Sequence, residues 1–389
     1  MSVSPITPTA PSAPLVVGVG GFLGAGKTTT IVAAAQRMVA QGRRVGIVTN
    51  DQASGLVDTA LARAATETVA EIAGGCFCCR YDVFEETLAE LVDQAQPDVI
   101  LAEAVGSCTD LAATVYQPLR QRGAIPVRLG PLSVVIDARR LHDAQRKHPE
   151  GAAGGEDDVA YLYRKQLAEA DVLLLNKVDL LSAEERRRVE AVLAETHPGV
   201  PVLPLSAAAG EGIAAWLERL VETPGAGARV LELDYDRYAA AEAALGWLNM
   251  EGTLTTDGTP VAEWVRAVLD GVRRMAVANA AEIAHVKLWV EPPEAGSAAW
   301  GDDPDAAGTA GGNVVGNARE PVVWARGEPG PEARVLVNAR VATAPDALRG
   351  WIEAAIDEAT TAHGATFSVT RLSAFSPARP VPLFRLHPV

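Results

Sequence analysis

Two short strings in this 389-residue chain carry residue types that can do chemistry: GFLGAGKT at 21–28, and GGCFCC at 74–79, which holds three of the four cysteines. The first satisfies G-x-x-x-x-G-K-[ST] without a mismatch. Gly21, Gly24 and Gly26, with Ala25 among them, let the backbone approach phosphate oxygens, so that amide N–H groups and the following helix N-terminus face the anion. Lys27 is placed for the β- and γ-phosphates, the Thr28 hydroxyl for Mg2+ and the Thr29 side chain for the α-phosphate.

Base choice is written in VLLLNKVD at 172–179, an apolar strand that delivers Asn176, Lys177 and Asp179 at its C-terminal end, the edge where open parallel sheets bind ligands. Asp179 can accept from the guanine ring N–H and amino group, donors that adenine lacks, and unpaired acceptors reject the wrong base. Lys177 lays its stem along the base, and Ser206-Ala207, after the apolar run VPVLPLS, caps it from behind. These features point to GTP and GDP.

Two further strand ends carry carboxylates. RRVGIVTND at 43–51 ends in Asp51, and PDVILAEAVGS at 97–107 contains Glu103 and Gly106. Both acids are expected at the nucleotide edge, where Asp51 and Glu103 can hold magnesium through water and take part in hydrolysis with Lys27, while Gly106 offers its N–H to the γ-phosphate. The plain alternative is a pair of solvated strand-end acids.

Cys76, Cys78 and Cys79 form C-x-C-C on a turn that Gly74 and Gly75 free to fold. An acidic chain with so tight a cluster is suited to metal rather than to structural disulfides, and adjacent cysteines pair poorly. Three thiolates suit a soft or borderline cation such as zinc, at about 2.3 Å from each sulfur. Cys108, two residues after Gly106, completes a four-thiolate site if the loop packs against it; otherwise it is a small buried residue behind the switch.

The elements that must position these groups alternate. Strands near 15–20, 44–49, 98–103, 132–137, 171–176 and 201–205 are separated by helical stretches, which predicts an α/β class with a mostly parallel sheet of the P-loop type. The pattern after 231 predicts a smaller α+β domain with an antiparallel sheet. The expected organisation is a disordered tail at 1–14, a nucleotide domain at 15–222, a linker at 223–230 and a second domain at 231–389 with a flexible insertion at 294–319.

The phosphate loop, TND, GGCFCC, EAVG and NKVD, in this order, resemble the CobW-like metallochaperone GTPases, relatives of the nickel-insertion GTPases of urease and hydrogenase. The similarity is close over 15–220 and looser beyond 230, through GWLN at 246–249 and FSPARPVPLFR at 375–385. The chain departs at VGSCTDL, where the family often shows an ETSG-type segment. The resemblance implies slow GTP hydrolysis and GTP-dependent delivery of a transition metal, zinc or cobalt, to a client metalloprotein.

A net charge of −15 and a pI near 4.9 argue against a broad nucleic-acid footprint. No run of 18 apolar residues appears and residues 1–14 lack a signal peptide, so a cytoplasmic protein without a membrane partner is expected. The six histidines are scattered, which suits an inserter rather than a metal store. A homodimer fits the same reading. The competing readings are a P-loop small-molecule kinase, which tolerates ATP, and a metal-independent switch that docks a partner through its C-terminal domain.

Overall fold

The computed structural model describes residues 13–51, 57–63, 65–147, 157–258, 260–293, 308–327 and 329–389. The expected tail through residue 12, the loop at 148–156 and the first part of the expected insertion, 294–307, lie outside the described residues.

Apolar runs in the first half build one eight-stranded sheet. Its strands are β1 (Leu15–Gly20), β2 (Val45–Asn50), β3 (Val69–Ile72), β4 (Val99–Glu103), β5 (Arg128–Leu129), β6 (Ser133–Asp137), β7 (Val172–Asn176) and β8 (Val202–Pro204). All pairs are parallel, in the order β3-β2-β4-β1-β6-β7-β8, with β5 beside β1. Strands covered on both faces are apolar throughout, and their side chains alternate between two cores. Val16 packs with Ile100, Ala102 and Phe84 on one face, while Val17 and Val19 pack with Leu101, Ile31 and Ala34 on the other. The helices of this half are α1 (Lys27–Ala40), α2 (Val57–Arg63), α3 (Tyr81–Ala95), α4 (Gln117–Arg122), α5 (Ala138–Lys147), α6 (Asp158–Ala168), α7 (Ala183–Thr196) and α8 (Ile213–Leu217). A further helix, α9 (Tyr235–Ala243), precedes the second sheet and buries Tyr238 and Ala241.

The second sheet is antiparallel and six-stranded: β9 (Gly246–Thr255), β10 (Ile283–Glu291), β11 (Thr309–Val314), β12 (Val322–Arg326), β13 (Glu332–Val341) and β14 (Thr366–Phe375), in the order β12-β11-β10-β13-β9-β14. Helices α10 (Val261–Ala278) and α11 (Pro345–Ala362) bury one face of it, with Trp264, Val268 and Ile352 against Val286, Leu288 and Val337. Within the segment expected to be a flexible insertion, 309–314 is ordered as β11 between β10 and β12; the bonding capacity of its neighbours overrides its Gly-rich composition.

The opposite face of this sheet lies on the first domain. Trp289 and Leu336 pack on Val57 and Ala60 of α2, and the Val57 N–H donates to Asn338 Oδ1 at 2.8 Å. Trp247 enters the core that holds Phe22 and Val105. The C-terminal sheet thus reaches the edge where β1, β4 and β7 end.

Candidate nucleotide and metal site

A cavity of about 520 Å³ opens at that edge, within the usual size of a small-molecule or cofactor site. Residues of the first domain, including Lys27, Thr28, Glu103, Gly106 and Asn176, line it together with His285, Lys287 and Arg319 of the second. Gly24, Gly26, Thr29, Asp51, Lys177, Asp179, Ser206 and Ala207 also border it, so most of the nucleotide residues expected from the sequence face one space, with Gly21 and Ala25 of the loop outside its lining.

The loop between β1 and α1 has its shape because of glycine. Gly26 has φ 96°, and a Cβ there would stand 2.4 Å from Asn176 Nδ2; Gly21 has φ 126°, and its Cβ would meet the Val135 carbonyl oxygen at 2.3 Å. The space saved at Gly26 is used by Asn176, whose Nδ2 donates to the Ala25 carbonyl at 2.9 Å. Its Oδ1 accepts the amide N–H groups of Lys177 at 2.8 Å and Ala207 at 3.0 Å. One side chain therefore joins the phosphate loop, the NKVD turn and the Ser206-Ala207 loop. Lys177, with φ 64°, donates to the Gly24 carbonyl and to Asp137 Oδ2, both at 2.7 Å. Asp179 is exposed on the cavity wall.

At the phosphate end, buried Lys27 donates to the Gly21 carbonyl at 2.9 Å, and burial lowers its pKa against the pull of Glu103. The Thr28 hydroxyl lies 2.9 Å from Glu103 Oε1 and 2.6 Å from Asp58 Oδ1. One hydroxyl proton cannot serve two carboxylates at once, so the second contact needs a proton of its own. Glu103 is suited to carry it: burial, and then the charge of Asp58, push it up to about 7. Burial also pushes Asp58 up, but the Lys287 ammonium prevails and holds it below the ordinary carboxylate range. Glu103 Oε2 is buried and has no hydrogen-bond partner among the described residues. Two carboxylates, a hydroxyl and an orphaned oxygen fit a hard cation that takes oxygen ligands. Thr28, Glu103 and Asp58 are the residues that would hold Mg2+.

The structure adds Asp58 to the two acids expected from the sequence. Asp51 borders the cavity with Glu103, and its two oxygens receive Arg340 at 3.0 and 2.8 Å. Arg340 is fully buried, stacks 4.1 Å over the Trp247 ring and also donates to the Leu248 and Ala339 carbonyls. Asp58, Lys287 and Arg340 were missed because ordinary charged residues on a short helix and a sheet carry no motif. The signal available for Lys287 and Arg340 was their alternation with apolar neighbours in β10 and β13; Asp58 on α2 gave none.

The thiols form one cluster. Cys76 Sγ lies 2.7 Å from Cys78 Sγ and 3.1 Å from Cys79 Sγ, and Cys78 and Cys79 are 3.7 Å apart. The sulfurs near enough to one another to share one ion are those of Cys76, Cys78 and Cys79; buried Cys108 stands beside them, and the neighbouring Cys76 and Cys78 thiols lower it to about 6 against burial. The bond with Cys76 raises Cys79 to about 11. The four sulfurs share one negative charge readily and more only with a cation beside them. Zinc at about 2.3 Å from tetrahedral sulfurs needs them roughly 3.8 Å apart, so the cluster would have to open slightly to hold it.

The turn that holds the thiols is fastened at both ends. Asn50, the last residue of β2, donates to the carbonyls of Ile72 at 3.0 Å and Gly75 at 2.7 Å and accepts the Phe77 N–H at 3.0 Å. The Leu383 N–H reaches the Cys78 carbonyl at 2.9 Å, and Phe384 packs edge-on against Tyr81 at 5.4 Å. Cys108 is held by the Gln166 side chain, which donates to the carbonyls of Gly106 at 3.0 Å and Cys108 at 2.9 Å.

Comparison with known proteins follows this geometry. Residues 15–204 match the family described as CobW/HypB/UreG, nucleotide-binding domain. A zinc chaperone CobW from Sinorhizobium sp. is 30% identical over 224 residues, covering 51% of this chain and 60% of the relative. A zinc chaperone YeiR from Escherichia coli is 29% identical over 180 residues, covering 44% of this chain and 48% of that protein. The chain therefore spans about half the length of the curated relatives it matches. The crystal structure of Zn(II)-bound YjiA GTPase from E. coli shares 13% identity over 89% of this chain and 99% of that one, with a TM-score of 0.35, too remote to bear on chemistry. Residues 15–204 are thus similar to the nucleotide-binding domain of the CobW/HypB/UreG family.

Proposed function

We propose that this chain is a GTP-dependent metallochaperone, which binds and slowly hydrolyses GTP and couples the nucleotide state to the capture and release of zinc, with cobalt as the alternative cargo. The observation that carries this is the placement of the thiols. The C-x-C-C turn hangs from Asn50 at the end of β2, and Cys108 follows Gly106 after β4, while Asn50 and Gly106 both line the nucleotide cavity. A shift of either strand end with the γ-phosphate must alter the sulfur geometry. Relatives named zinc chaperones support the choice of metal.

In the proposed reaction a water oxygen attacks the γ-phosphorus and the P–O bond to the bridging oxygen breaks, leaving GDP and phosphate. Lys27 neutralises the phosphates, the Gly106 N–H meets the γ-phosphate, and Glu103 orders the water beside Thr28. Magnesium, when bound, supplies charge neutralisation at the β- and γ-oxygens. No glutamine stands in EAVG to orient the water, so unaided turnover on the order of 10⁻⁴ to 10⁻² per second is expected. The partner is a client metalloprotein in the cytoplasm; among the described residues no helix is long and apolar enough to cross a membrane.

The test is release. Zinc-loaded protein is mixed with a colorimetric chelator in the presence of GDP or a non-hydrolysable GTP analogue. Different release rates support the proposal, whereas equal rates, or protein that never loads zinc, contradict it. Turnover that requires a small-molecule acceptor and accepts ATP would favour the kinase instead.

A further inference from the structure

β10 brings the C-terminal sheet to the phosphate end of the cavity. Its alternate residues His285, Lys287 and Trp289 line the space, while Val286 and Val290 pack in the helix-covered core. The Lys287 ammonium is paired with Asp58 Oδ1, the same oxygen that lies 2.6 Å from the Thr28 hydroxyl. It is also near enough to the Lys27 ammonium for the two to repel. His285 is 6% exposed, and its Nδ1 has no hydrogen-bond partner among the described residues. Burial and the charges of Lys287, Arg340 and Lys27 hold its imidazole far below the ordinary range, so the ring is neutral and offers one N–H donor. A buried ring nitrogen without a partner is costly. A ligand oxygen in the cavity can relieve it once the ring turns to bring that nitrogen to the cavity wall.

We propose that His285 and Lys287 complete the γ-phosphate site from the C-terminal sheet. On triphosphate binding Lys287 exchanges Asp58 for a γ-phosphate oxygen, His285 donates to the same group, and Asp58, already on Thr28, is left to Thr28 and Glu103 alone. The C-terminal domain is then held differently with GTP and with GDP. This rests on the cavity being a GTP site.

The test measures binding of a fluorescent GDP and of a non-hydrolysable GTP analogue to the full chain. Lys287→Ala is expected to weaken the GTP analogue about 10- to 100-fold, the range of one charge-assisted hydrogen bond, with GDP changed less than about 3-fold. Lys287→Arg restores most of the loss, and His285→Ala gives a smaller loss of the same kind. If Lys287 only clasps Asp58, both nucleotides weaken equally and Asp58→Asn does the same; that result, or no change for either nucleotide, overturns the proposal. Should Lys287→Ala unfold early, Lys287→Gln keeps the stem and the same ratio is read. Competition with ATP on the parent protein separates failure of the guanine assignment from failure of Lys287.

Discussion

Asn50 grips Phe77. The Phe77 N–H donates to Asn50 Oδ1 at 3.0 Å while Asn50 Nδ2 donates to the neighbouring Gly75 carbonyl at 2.7 Å. The next residue, Asp51, is held by Arg340 of the C-terminal sheet. The thiol turn, the edge of the nucleotide cavity and the second domain are therefore joined through two consecutive residues.

Asn50→Ala leaves the Phe77 N–H and Gly75 carbonyl without that partner, at a cost of about 1–3 kcal/mol for a buried polar group. It should lower the thermal midpoint and weaken cobalt(II) binding, with the sensitivity of that binding to nucleotide reduced. Unchanged metal affinity would show that the turn does not depend on Asn50.

Base choice is expected to depend on Asp179. Parent protein should prefer GTP to ATP by at least about 100-fold, because a site built to pair polar groups rejects a ligand that leaves them unpaired. Asp179→Asn should narrow the gap. Equal displacement of a fluorescent GTP analogue by the two nucleotides would remove the guanine assignment.

Gly26→Ala should abolish nucleotide binding more completely than its effect on folding warrants. The added Cβ meets Asn176 Nδ2 at 2.4 Å in a left-handed backbone conformation, which costs on the order of 1–3 kcal/mol in strain. Displacing Asn176 also loosens Ala25 and Ala207. The comparison is isothermal binding of GTP against thermal midpoint.

Glu169 gives a pH dependence unconnected with turnover. It is fully buried, its oxygens meet Thr109 Oγ1 at 3.0 Å and the Ala112 N–H at 3.1 Å, and burial pushes its carboxyl up to about 8. The folded state thus keeps a proton that the unfolded chain releases near 4.5, so its stability contribution is full below pH 4.5 and declines as pH rises towards 8. The slope approaches about 1.4 kcal/mol per pH unit. Glu169→Gln, which still accepts from Ala112 and can donate to Thr109, should flatten the melting-temperature profile between pH 6 and 8. A parallel decline in both proteins would assign the effect elsewhere.

The phosphate loop, NKVD and the cysteine turn were legible because each acts through local spacing, and the parallel sheet because strands buried on both faces are apolar throughout. What could not be read was long-range pairing. Asp58 meets Lys287 across 229 positions and Asp51 meets Arg340 across 289, and nothing in a charged residue's type announces its partner. Four strands were not read, the short β3 and β5 in the first sheet and β11 and β14 in the second, and the latter two escaped for physical reasons. β14 lies at the sheet edge with much of its length exposed and a bulge at Val369/Arg371, which breaks the two-residue alternation. β11 reads TAGGNV, weak in strand propensity, yet Cβ atoms at Gly311 and Gly312 would stand 2.7 Å from Trp324 and 2.8 Å from Leu269. Small residues were needed where composition suggested looseness.

The central claim is that metal and nucleotide sense each other. Cobalt(II), followed by its thiolate charge-transfer absorption, and zinc by competition, are titrated into protein bound to GDP or to a non-hydrolysable GTP analogue. The expected difference is about 5- to 150-fold in metal affinity, a coupling of about 1–3 kcal/mol that must appear reciprocally in nucleotide affinity. Cys78→Ser should remove the absorption band; Cys108→Ser weakens it if the fourth thiolate joins the site, and an unchanged spectrum leaves Cys108 a structural residue. Identical metal affinities in the two nucleotide states would contradict the account.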